Sequence, residues 1–293
     1  MQVIDNRSRY LLSAEQLERL LAQGQVKVFD CATHLVPDPD KGYAVKSGRS
    51  DYEKSHIPGA QFIDLQQELS DRASPYRFTM PSADEFAQLV ASKGLSNADT
   101  AVIYASNHPM WACRLWWMFR AFGHERVKVL DGGLSGWLGQ GYEVSSEESV
   151  ASVGSYSAHH NATRVAQAED ILDGLAQGNA CVLNALSEKQ HRGEGPHYGR
   201  PGRITGSKSA SWDKFLDRDQ TFIGNPELEN VLAGVGALQA EKVITYCGGG
   251  IAASIPLFAM ALLGQEEQVS LYDNSLSEWA NNADLPMTSD LKT

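Results

Sequence analysis

Two stretches of this 293-residue chain follow the same plan, and any fold must satisfy both. Each closes on a β-branched run, Val127 to Asp131 and Val269 to Asp273. A small helix signal follows, Leu134-Ser135-Gly136-Trp137 in one and Leu276-Ser277-Glu278-Trp279 in the other. Upstream of these, strands over Ala101 to Ala105 and Val243 to Cys247 lead into long apolar helices that stop at Gly123 and Gly264. Earlier still, Val26 to Asp30 and Cys181 to Asn184 read as matching strands. Each is followed by a Gly-rich polar loop, leading to His56-Ile57-Pro58-Gly59-Ala60 and Arg203-Ile204-Thr205-Gly206-Ser207. Capping boxes at Ser13/Gln16 and Ser82/Glu85 start helices that end at Gly24 and Gly94, and Ala168 to Gln177 reads as a helix stopped by Gly178. Alternating strands and helices predict an α/β chain of two tandem domains, each a parallel sheet flanked by helices on both faces. The Ser-rich stretch from Ser145 to Thr163 reads as a linker, dividing the chain into 1–145, a linker over 146–163, and 164–293.

Charge narrows the partners. A net charge of -11 argues against nucleic acid or an anionic membrane, both of which need basic surface. An anionic substrate must then be attracted locally. Met1 to Tyr10 carries no apolar stretch resembling a signal peptide, and no run approaches a membrane span. Cys31, Cys113, Cys181 and Cys247 lie far apart without a Cys-x-x-Cys pair. Neither zinc nor a disulfide framework is indicated, and a reducing cytoplasm fits best.

Candidate chemistry centres on Cys247, within Thr245-Tyr246-Cys247-Gly248-Gly249-Gly250-Ile251-Ala252-Ala253-Ser254. The thiol falls where a strand ends and a helix, expected over Ile251 to Leu263, begins. Three glycines let the backbone curl so that amides from Gly248, Gly249, Gly250, Ile251, Ala252 and Ala253 can converge on one spot. A thiol there should ionise more readily than free cysteine and act as a nucleophile beside an anion cradle. The bland alternative is a buried inert Cys followed by a flexible turn. In the first repeat the corresponding position is Ala105 or Ser106, so only one copy holds a thiol. Cys181 and Cys113 lie in apolar elements and read as core thiols, and a structural role is favoured for Cys31.

Taken together, His56 to Ala60, Arg114-Leu115-Trp116-Trp117, Asp131 to Trp137 and the Cys247 loop resemble the rhodanese family of sulfurtransferases in its tandem two-domain form, over nearly the whole chain. The resemblance implies that the second half is catalytic, the first an inactive copy, and the site between them. It also implies that Cys247 takes a sulfane sulfur from a small anionic donor of the thiosulfate or 3-mercaptopyruvate type. The resulting persulfide then passes its sulfur to a thiol or to cyanide. Such chemistry requires no metal or organic cofactor. Thiosulfate-type members usually carry basic residues in the loop, which this chain lacks; mercaptopyruvate-type members usually have a hydroxyl residue where Gly249 lies. The latter also place an Arg where Gln190 falls and a His where Phe78 falls. Gln190 cannot replace that charge, so Arg200 is the substitute anion ligand to test, an exposed loop Arg being the alternative. His108 and His197 could face the interface, although a lone loop His is more often solvated. Trp111, Trp116 and Trp117 read as packing.

Three rival classes are weighed against it. A cysteine phosphatase needs an Arg six residues beyond the thiol, where this chain has Ala253. A persulfide carrier that docks on an acceptor protein, without turning over small thiols, is compatible with the neutral loop. A cysteine hydrolase lacks a His placed by any motif to serve as base.

Overall fold

The computed structural model describes residues 6–38 and 42–291. Its first half runs α1 (Arg7–Tyr10), β1 (Leu11–Leu12), α2 (Ala14–Ala22), β2 (Val26–Asp30), β3 (Thr33–Asp38), β4 (Gly42–Ser47), α3 (Arg49–Tyr52), β5 (Gln61–Phe62), α4 (Ala83–Ser92), β6 (Thr100–Tyr104), α5 (Pro109–Ala121), β7 (Val127–Leu130) and α6 (Gly133–Gly139). The second runs β8 (Val165–Ala166), α7 (Ala168–Gln177), β9 (Ala180–Asn184), α8 (Glu188–Arg192), β10 (Arg203–Ile204), β11 (Lys208–Ser209), α9 (Asn225–Gly234), β12 (Lys242–Tyr246), α10 (Ser254–Leu262), β13 (Val269–Tyr272), α11 (Ser275–Trp279) and β14 (Met287–Thr288).

Each half builds a five-stranded sheet, ordered β1-β7-β6-β2-β5 and β8-β13-β12-β9-β11, with every neighbouring pair parallel. The same strand order in both confirms the α/β class and the duplication. A smaller signature repeats as well. Tyr104, at the end of β6, accepts a hydrogen bond through its hydroxyl from Ile57 N at 3.1 Å, and Tyr246, at the end of β12, does so from Ile204 N at 3.1 Å. Both capping boxes form, Ser13 with Gln16 and Ser82 with Glu85. They satisfy amides that the first turn of a helix leaves unpaired.

The halves share one apolar core. α5 and α10 pack against each other, with Trp116 meeting Phe258 edge-on at 4.8 Å. A helix between its own sheet and a second domain has no solvent face, which is why both sequences are apolar nearly all round. Trp111, Trp116 and Trp117 are buried here, as packing residues. Beside them lies a buried ionic cluster. The Glu266 carboxylate accepts from Arg120 Nε at 2.7 Å and from the Tyr10 hydroxyl, and forms an ion pair with Arg164 Nη1 at 2.9 Å.

Two sequence expectations need revision. The Gly-rich loop after β2 contains an antiparallel hairpin, β3 with β4, which Pro37 and the mixed polar composition disguised. The helix after the Cys247 loop starts at Ser254, three residues later than expected. Pro256, which lacks an N–H to give, marks its first turn. The stretch expected as a linker lies along the first half, held by bonds from Gly154 N to Ala91 O (2.8 Å), Asn97 N to Ser155 O (3.2 Å) and Asn161 N to Ala121 O (2.7 Å).

Candidate active site

Cys247 follows β12, a strand flanked by β9 and β13, at its carboxyl end. That end is where open α/β sheets bind ligands. The residue is 2% exposed, yet it borders a cavity of about 720 Å³ between the halves. The loop that carries it is held from below by the turn entering α11. Cys247 N donates to Ser275 Oγ at 3.0 Å, Cys247 O accepts from Leu276 N at 3.1 Å, and Gly248 O accepts from Ser277 N and Ser277 Oγ, both at 2.8 Å. Gly250 O accepts from Arg114 Nη1 at 3.4 Å.

These anchors orient the amides. In a trans peptide the N–H points opposite to the C=O, so fixing the carbonyls of Cys247, Gly248 and Gly250 turns the N–H groups of Gly248, Gly249 and Ile251 away from their supports. None of the six amides from Gly248 to Ala253 has an acceptor among the described residues, although four of these six residues are buried. Unpaired buried amides are costly in an empty protein and useful to one that receives an anion.

The glycines are not equivalent. A Cβ on residue 248 would lie 1.9 Å from the Tyr198 ring. On residue 250, where φ is +77°, it would meet Asp273 O at 2.6 Å. On residue 249 its nearest neighbour would be Ser277 Oγ at 3.6 Å, which is ordinary contact.

The first half lacks both parts of this arrangement. β6 ends at Tyr104 as β12 ends at Tyr246, which equates Ala105 with Cys247 and settles the choice against Ser106. There α5 already begins at Pro109, so the residues matching Ile251 to Ala253 are wound into helix. Cys31, Cys113 and Cys181 lie outside the cavity, and burial pushes all three thiols up.

A strap from the first half walls the cavity with Pro75, Tyr76, Arg77 and Phe78. Phe78 sits at φ 59°, and its carbonyl accepts from Arg114 Nη2 at 2.5 Å. Arg114, buried and stacked over Trp117, also meets Asp273 at 2.5 Å. The second half sends the matching strap back, with Gln220 at φ 61° over the Ala105 loop.

Of the other expected ligands, Gln190 borders the cavity, but its carboxamide is occupied by Ser187 Oγ at 3.0 Å and Pro196 O at 3.1 Å. Arg200 does not reach it. Its guanidinium donates to the carbonyls of Trp279, Ala280, Asn282 and Leu285, capping the chain after α11, so the proposed anion role is withdrawn. His108 and His197 both border the cavity, which corrects the solvated reading for His108. His108 caps α5 by accepting from Met110 N at 3.1 Å and meets Trp212 edge-on at 4.6 Å; burial lowers its pKa to about 4. Sequence reasoning missed Arg77, Tyr43, Tyr198 and Trp212. It also missed Ser275, and Ser277, for which the repeated Leu-Ser-x-Trp setting was the available signal.

Comparison with known proteins agrees. A family profile described as a rhodanese-like domain matches residues 13–140. The chain is 32% identical to the 3-mercaptopyruvate sulfurtransferase of Rattus norvegicus over 91% of this chain and 89% of that protein. It is 31% identical to the thiosulfate sulfurtransferase of Cricetulus griseus over 81% and 82%. The crystal structure of SseA from Escherichia coli, a 3-mercaptopyruvate sulfurtransferase, superposes with a TM-score of 0.81 at 26% identity, covering 92% of this chain and 99% of that one. With two such sheets and this extent of similarity, the chain belongs to the rhodanese family and is a rhodanese-type sulfurtransferase.

Proposed function

We propose that Cys247 is the nucleophile and that it carries sulfur as a persulfide between a small donor and a thiol or cyanide acceptor. The observation that carries this reading is the set of unpaired amides from Gly248 to Ala253 beside a thiol at the edge of a cavity. Such donors stabilise negative charge where it develops. With 3-mercaptopyruvate, the Cys247 thiolate attacks the donor sulfur, an S–S bond forms and the C–S bond breaks. The donor's thiol proton ends on carbon, releasing pyruvate; the cysteine sulfur is oxidised and that carbon is reduced. With thiosulfate the leaving group is sulfite. An acceptor thiolate or cyanide then takes the outer sulfur and restores Cys247.

The neutral loop and the names of the relatives favour a mercaptopyruvate-type donor, with thiosulfate a weaker one. In the same reading residues 1–145 act as the non-catalytic copy and 164–293 as the catalytic unit, joined by 146–163. Donor-treated protein should gain one sulfur atom on Cys247 by intact and peptide mass spectrometry, and Cys247→Ser should lose both adduct and turnover. An unchanged mass after mercaptopyruvate, thiosulfate and polysulfide would refute the reading. Sulfur uptake without repeated turnover across several small acceptors would replace it with the carrier that docks on a protein partner.

A further inference from the structure

The cavity that holds Cys247 has almost no charge. Among the described residues lining it there is no Asp, Glu or Lys, and the only Arg is Arg77. Arg77 lies on the strap sent across from the half that lacks the thiol. Its backbone carbonyl is 3.9 Å from where a Cβ on Gly249 would sit, so the residue stands directly across from the thiol loop. One guanidinium nitrogen, Nη1, donates to Tyr43 O; Nε and Nη2 have no acceptor among the described residues. The Tyr198 phenol, whose ring crowds Gly248, lines the same cavity as Arg77 and Cys247. Cation, phenol and thiol therefore share one neighbourhood. The two residues offered by sequence for an anion are occupied elsewhere, Arg200 on four carbonyls and Gln190 within its own loop.

Given the sulfur-transfer reading of Cys247, we propose that Arg77 binds the carboxylate of the donor, so that a residue of the half opposite Cys247 sets donor specificity. A guanidinium held at one corner still presents donors to a carboxylate, and its planar fork suits that geometry. With a net charge of -11 the surrounding field repels anions, so a local cation is needed to draw one in.

The test compares mercaptopyruvate with mercaptoacetone, which keeps the reacting thiol and ketone but replaces the carboxylate with a methyl group. Arg77→Gln should raise KM for mercaptopyruvate about 10- to 100-fold, the worth of a charge-assisted hydrogen bond, with kcat little changed. Mercaptoacetone kinetics should stay as in wild type, and Arg77→Lys should recover part of the loss. A preference for mercaptopyruvate that survives Arg77→Gln within twofold overturns the proposal. So does an equal loss with both donors, which would mark a structural role. Pyruvate binding to Cys247→Ser protein, followed by ligand-observed NMR with and without Arg77→Gln, reads the same contact without any sulfur transfer. Lost pyruvate binding in a protein whose Cys247 never gains sulfur would uphold Arg77 and sink the persulfide reading; pyruvate binding unaffected by Arg77→Gln sinks the Arg77 assignment.

Discussion

Arg114 and Asp273 belong to opposite halves of the molecule and meet at 2.5 Å, with Arg114 only 1% exposed in its side chain. The same guanidinium reaches Phe78 O on the strap and Gly250 O in the thiol loop, so it fixes the distance between wall and floor of the cavity. Arg114→Lys cannot reproduce a planar three-point contact. We expect it to cost about 1–3 kcal/mol, the worth of the guanidinium hydrogen bonds that an ammonium leaves unmade, read as a shift of the urea midpoint. Turnover should fall more than the loss of folded protein explains. A variant that is both fully stable and fully active contradicts this role.

The three glycines after Cys247 should respond differently. Gly248→Ala collides with the Tyr198 ring, and Gly250→Ala is strained by its positive φ and by Asp273 O; both should lower kcat/KM by at least about tenfold, since misplacing a reacting group by about 1 Å can cost about 100-fold. Gly249→Ser has room and should keep activity within a few-fold. Equal losses at all three positions would show that loop flexibility, not space, is what the glycines provide.

Acid should attack the Glu266 cluster. Burial alone would raise this carboxyl, but Arg120, Arg164 and the Tyr10 hydroxyl hold it below the usual range. Because its pKa is lower in the folded state, its contribution to stability is complete above the ordinary Glu value. That contribution is lost as pH falls from there through the folded value. Glu266→Gln should destabilise by about 3–5 kcal/mol at pH 7 and flatten the acid limb of stability against pH. An unaltered acid limb would assign that limb to other carboxylates.

His108 adds to the same acid sensitivity, over a higher range of pH. Burial lowers it to about 4, so the folded protein binds its proton later than the unfolded chain. Stability should therefore fall as pH drops from about 6.5 towards 4, and the ring should stay neutral by NMR throughout neutral pH. A midpoint near 6.5 would mean that the ring is solvated.

Much of the fold was legible because it is written locally. β2 and α7 match their expected ranges, and Ser13, Ser82 and Gly178 mark helix ends through capping chemistry that needs only near neighbours. Two-residue strands such as β5 and β11 are too short to show a period, and only their parallel partners define them. The thiol loop was legible for the same local reason. The cavity was not, since Tyr43, Arg77, Tyr198 and Trp212 come together only when straps and hairpin cross between halves. Arg200 misled for a related reason: a sequence shows a charge but not the four carbonyls that claim it.

The reciprocal straps, Phe78 over one loop and Gln220 over the other, repeat the logic of an isologous pair within a single polypeptide. Each unit completes its neighbour's chamber rather than its own. Severing them would leave Cys247 on an open shelf, so the unit whose matching position is Ala105 forms half of the vessel around it.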